Sequence, residues 1–89
     1  MFLHVGNNQN IRIRRVIGIF DADSATVSSV TKKYLSAAEA AKSVHFASVE
    51  IPKSFVLYEE EKGKFRICFS QLSTSSLVGR IETGIQISD

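Results

Sequence analysis

RRVIGIFDADSATVSSVTKKY, residues 14–34, is the stretch that decides the fold. Val16 to Phe20 is almost continuously apolar and five residues long, the pattern of a buried strand. Asp21-Ala22-Asp23-Ser24 stops it, and Asp23 or Ser24 is placed to accept hydrogen bonds from the free amides of a following helix. From Ala25 the period changes. Val27, Val30 and Tyr34, continued by Ala38 and Ala41, recur every three or four residues and form one helical stripe. Lys32, Lys33, Glu39 and Lys42 lie largely off that stripe. The Ala-rich part favours helix intrinsically, with a break expected near Ser36. A strand that hands over to a helix within four residues makes the domain mixed rather than uniform.

Upstream, Phe2 to Val5 reads as a short strand, and Gly6-Asn7-Asn8-Gln9 as a turn, because Gly and Asn accept positive φ at low cost. Asn10 to Arg14 alternates, with Ile11 and Ile13 on one face and Arg12 and Arg14 on the other, as in a half-solvated strand. Arg15 breaks the alternation, so a bulge or bend is expected there. Downstream, Val44 to Val49 is a strand or an extended link. Pro52 bars helix and biases Ile51 to an extended conformation. Ser54 to Tyr58 and Phe65 to Phe69 form two strands around a charged turn, Glu59 to Lys64. In the second, Phe65, Ile67 and Phe69 share one face, and Arg66 and Cys68 the other. Ser73 is a plausible cap for a short last helix carrying Leu77 and Arg80. Residues 1–80 form one regulatory-size domain, and 81–89 a C-terminal tail or extra edge strand. The expected fold class is α+β: a small, mostly antiparallel sheet of about five strands, with a helix after the third strand and a short C-terminal helix, the helices packed on one side.

Eighty-nine residues are one domain's worth of chain, and 44% hydrophobic residues make it globular rather than disordered. So short a chain buries only about 60% of the surface its unfolded form exposes. Cys68 is the single cysteine, which rules out an internal disulfide. Cys68, His4 and His45 stand at no familiar zinc spacing, so no metal and no cofactor is expected. Oligomerisation remains as the common route to stability, and the edges of a small open sheet supply a reason for it. One cysteine and an N-terminus without a charged-then-apolar leader point to the cytoplasm, and no apolar run is long enough for a membrane span. The net charge of +2 permits an anionic partner without demanding one.

No catalytic constellation stands out. The five glycines are scattered singly, so neither a phosphate loop nor a dinucleotide fingerprint is present. The Ser70 to Ser76 stretch lacks a nucleophile elbow and an evident histidine partner, and helix capping explains it better. His4, His45 and Cys68 read as structural or surface residues, and the chain as a non-enzyme. Arg12, Arg14 and Arg15 are the feature of most interest. The plain interpretation is a solvated strand face; the sharper one is a set of guanidiniums offering planar, multi-donor contacts to phosphates. Lys32, Lys33 and Lys53 would extend such a surface. Glu59 to Glu61 would repel DNA and is expected to lie away from it.

Four pieces in order, MFLHVGNN, RVIGIFD, PKSFVL and SQLSTSSLVGR, resemble the small extracellular matrix regulatory proteins, RemA and RemB, of spore-forming bacteria. The HVGN start, the IFD strand end and the Pro-Lys-Ser lead-in are closer to the RemB branch. The likeness runs from Met1 to about Arg80 and is poor over Ser36 to Glu50. It implies a DNA-binding transcriptional regulator of biofilm matrix genes, LytTR-like in fold and assembled as a homo-oligomer, a ring in the RemA branch. By position, Arg15 and Lys53 match basic residues of that branch, and Arg80 matches a terminal-helix arginine of structural role. Arg12, Arg14, Arg15 and Lys53 are thus the candidate nucleic-acid-binding residues, contacting the phosphate backbone. Where the RemA branch carries a basic pair before the later strand, this chain has Glu50 and Ile51. That departure keeps open an alternative: an oligomeric scaffold, or a partner of a related regulator subunit, without DNA affinity of its own.

Overall fold

The computed structural model describes residues 1–6, 8–35, 44–46 and 51–88, with only the backbone course for 44–46 and 83–88. The described elements are β1 (Phe2–Gly6), β2 (Gln9–Arg12), a 3-10 turn (Ile13–Arg15), β3 (Val16–Asp21), α1 (Ser24–Tyr34), β4 (Val44–Phe46), β5 (Ser54–Glu61), β6 (Lys64–Ser70) and α2 (Thr74–Ser88). The α+β class is as expected, but the strands form two sheets. β1 and β2 make an antiparallel hairpin; the other sheet has the order β3-β5-β6-β4, antiparallel except for the parallel β4–β6 pair.

The main sheet is covered on both faces, which corrects the expectation that the helices share one side. Alternation along β5 explains this, because both of its faces are apolar. Phe55 and Leu57, with Ile67, meet Val30 of α1 and Leu35, the residue that follows it, and Phe20 stacks on Phe55 with ring centroids 5.2 Å apart. Val56 and Cys68 face the other way, against Leu3, Val5 and Ile11 of the hairpin and Leu77 of α2. The molecule is therefore three layers: α1, the sheet, and the hairpin with α2.

Asp23 caps α1, its Oδ1 accepting from the Thr26 amide at 2.9 Å. The helix ends at Tyr34, near the expected break; Ala38 and Ala41 lie outside the described residues. Ser73 caps α2, its Oγ accepting from the Ser76 amide at 3.2 Å. That helix continues to Ser88, so residues 81–88 are neither a tail nor an edge strand; Ile81 packs against the hairpin-side core and carries the apolar stripe onward from Leu77. β5 and β6 also run further than expected. The turn between them is only Lys62-Gly63, with Gly63 at φ 80° and its amide donating to the Glu59 carboxylate at 2.9 Å. β3 is an edge strand rather than a buried one, with Ile17 44% exposed.

Candidate nucleic-acid interface

The arginine cluster sits where the hairpin crosses to the main sheet. Arg12 pairs with Phe2 across the β1–β2 ladder, and its guanidinium lies 5.5 Å from the Phe2 ring centroid. The Ile13 amide donates to the Met1 carbonyl at 3.1 Å, and the chain then winds through the 3-10 turn. The bend expected at Arg15 is this turn, and the register of β3 shifts immediately after it, between Val16 and Gly18. The turn ends the strand alternation at Arg12, so the three arginines do not share one strand face. Arg12 and Arg14 are exposed, whereas Arg15 is half-buried. The Arg15 Nη1 donates to the Glu60 carbonyl, with the Glu59 carbonyl at 3.5 Å. Arg15 thus clamps the turn to the far end of β5.

Arg12 and Arg15 line a shallow cavity of about 360 Å³ with Phe2, Asn10, Ile11, Tyr58 and Glu60. Glu60 in this lining corrects the expectation that the acidic run lies apart from the arginines. Glu60 reaches the cavity beside Tyr58 because β5 runs on through Glu59, Glu60 and Glu61, three residues past the expected strand end. The Glu60 carboxylate is engaged by the Arg66 guanidinium from β6, opposite Tyr58. Burial raises the Tyr58 hydroxyl pKa above its ordinary value, an effect the Cys68 charge adds to and Arg66 opposes. The Lys64–Glu61 pair at 3.6 Å is exposed and contributes little.

Lys53 lies elsewhere. It precedes Ser54, while Arg15 meets β5 at Glu59 and Glu60; six residue steps separate these points, about 20 Å at about 3.3 Å per residue. Its backbone joins the β3 end to β6, its carbonyl accepting from Ala22 and its amide donating to Ser70. Lys32 and Lys33 belong to the last turn of α1, on the opposite face of the sheet from the hairpin. Arg80 ties α2 to β1 by donating to the His4 carbonyl at 3.1 Å, a structural role.

Cys68, Ser54 and Ser70 are accounted for by packing. Cys68 is 2% exposed, and burial pushes its thiol up to about 11, which disfavours the thiolate. The buried Ser54 hydroxyl donates to the Leu72 carbonyl at 2.6 Å, and that of Ser70 to the Val5 carbonyl at 2.7 Å. Among the described residues no group of three or more His, Cys, Asp and Glu is arranged to hold a metal ion, and no helix is long and apolar enough to cross a membrane.

Sequence reasoning singled out the arginines but missed their neighbours Phe2, Tyr58, Glu60 and Arg66. Pairing Phe2 with Arg12 requires the hairpin register, and placing Glu60 requires knowing that the β5–β6 turn has two residues. The Gly63 following three glutamates and a lysine was the available signal for that turn. No protein-family model matches the chain, and no curated protein matches it either.

Proposed function

We propose that the chain is a non-enzymatic, DNA-binding transcriptional regulator of the extracellular matrix regulator type, closer to RemB, that works as a cytoplasmic homo-oligomer on biofilm genes. The carrying observation is the grouping of exposed Arg12 and Arg14 around an Arg15 fixed to the Glu59 and Glu60 carbonyls. Guanidiniums on a rigid turn give phosphates a multi-donor surface with little ordering cost. Arg12, Arg14 and Arg15 make the primary contacts. Lys53 contributes from a second contact point, which an oligomer, a ring included, would bring onto the same duplex.

The alternative is an oligomeric scaffold, or a partner for a related regulator subunit, with the same fold and no DNA affinity. Glu60 favours it, since this carboxylate lines the same cavity as Arg12 and Arg15. The deciding experiment is a titration of duplex DNA with the full chain at two salt concentrations. Binding that weakens steeply with salt is the expected result. Absence of binding at the lower salt selects the scaffold.

A further inference from the structure

Two copies of the chain, we infer, pair antiparallel through the free edge of β3, around a two-fold axis near the middle of that strand. The inference deepens the oligomeric part of the proposed function and stands independently of DNA binding.

β3 closes one side of the main sheet, and among the described residues no strand pairs with its outer edge. Exposed edges are usually guarded by charge or proline. Between Val16 and Phe20 this strand reads VIGIF, with neither. The bulge between Val16 and Gly18 leaves Ile17 without a ladder partner and 44% exposed. Gly18 at the centre is required by the strand's own packing, since a Cβ there would lie 2.6 Å from the Phe20 ring.

Charge selects a second copy, and the antiparallel sense, as the occupant. The strand starts next to exposed Arg14 and half-buried Arg15 and ends at exposed Asp21, with exposed Asp23 two residues further on. An antiparallel neighbour of the same sequence puts the basic start of each strand beside the acidic end of the other. A parallel neighbour would set like charges together. Such an interface is self-complementary, as two-fold symmetry requires. It joins two four-stranded sheets into one continuous sheet. Lys53 is bonded to Ala22 at the acidic end. In the dimer it lies about two strand spacings, about 10 Å, from the other copy's arginine turn. The partner copy thereby supplies the lysine that a single chain holds apart from its arginines.

The test is the mass of the full chain in solution by light scattering across the micromolar range, for the natural sequence and for Ile17→Lys. The natural chain should give a multiple of the 9.8 kDa chain mass, and Ile17→Lys half the natural mass or less with unchanged circular dichroism. Hydrogen exchange supplies a second readout that needs no variant: those amides between Ile17 and Asp21 that point away from β5 should exchange several-fold faster on dilution, while those of β5 do not change. A natural chain that is monomeric throughout overturns the pairing, as does a folded Ile17→Lys of unaltered mass. Should that variant fail to fold, concentration-independent exchange along β3 overturns it equally. None of these readouts involves DNA, so the pairing and the nucleic-acid reading fail separately.

Discussion

The Ser70 hydroxyl joins two layers of the molecule. It donates to the Val5 carbonyl at 2.7 Å and accepts from the Leu72 amide at 3.0 Å, and the residue is 1% exposed. Val5 needs this partner because the irregularity between His4 and Gly6 takes it out of the β1–β2 register. Ser70→Ala would strip both groups of that partner in a site closed to water. Leaving such groups unmet costs about 1–3 kcal/mol. The expected outcome is a lower urea midpoint for Ser70→Ala, while Ser28→Ala on the exposed side of α1 stays within about 0.5 kcal/mol of the natural chain. Equal midpoints would mean the hydroxyl does not hold the hairpin to the sheet. Composition shows a serine-rich stretch at Ser70 to Ser76, but the division of labour within it becomes visible only when the hairpin is docked. The cap at Ser73 is local and was legible; the long-range bond from Ser70 to Val5 was not.

The elements that were legible are those whose signal is local. Asp23 follows an apolar run and precedes a 3.6-residue stripe, and it caps α1 as such a residue should. Its carboxylate also accepts from the Thr26 hydroxyl at 2.8 Å. These bonds, the Thr26 amide first and its hydroxyl next, lower the Asp23 pKa below the model-compound value of 3.8. The stabilisation is therefore complete above that unfolded value and disappears as pH falls through the lower folded one. Asp23→Ala should lower the melting temperature at pH 7, and the gap from the natural chain should close toward pH 2. A gap independent of pH would show that the carboxylate charge is not what caps the helix. The extents of β5, β6 and α2 were misread for a different reason. Glu59 to Glu61 look like a turn by charge, yet strand pairing holds them in β5 because their side chains sit at the solvated end of the ladder. Residues 81–88 lack a helix-like charge pattern, but α2 continues over them, with Ile81 on the hairpin-side core one turn beyond Leu77.

At the scale of the whole molecule, the sheet separates the arginines of the 3-10 turn region from the lysine pair of α1. Arg12, Arg14 and Arg15 lie on the hairpin side, and Lys32 and Lys33 on the α1 side. No periodicity in the sequence reveals this partition, since it follows from both faces of β5 being apolar. It makes a clean comparison possible. Each chain removes the same two charges in Arg12→Ala/Arg14→Ala as in Lys32→Ala/Lys33→Ala, so net charge and long-range steering change equally. Only direct phosphate contacts distinguish the pairs. Losing such contacts should flatten the dependence of log affinity on log salt by about 0.9 per phosphate released, so about two units per engaged chain for the arginine pair. The lysine pair should leave the slope close to that of the natural chain. Arg15→Ala should flatten the slope by about one unit and also lower thermal stability, because its guanidinium holds the 3-10 turn to the Glu59 and Glu60 carbonyls. Sequence preference should change little in any of them, since phosphate contacts position a protein without reading bases. Salt titrations of all three variants against one duplex, with masses measured alongside, check the set. Equal slopes for the two double variants would mean that the chain attracts DNA only through its overall charge, and the arginine turn would then be an ordinary solvated surface.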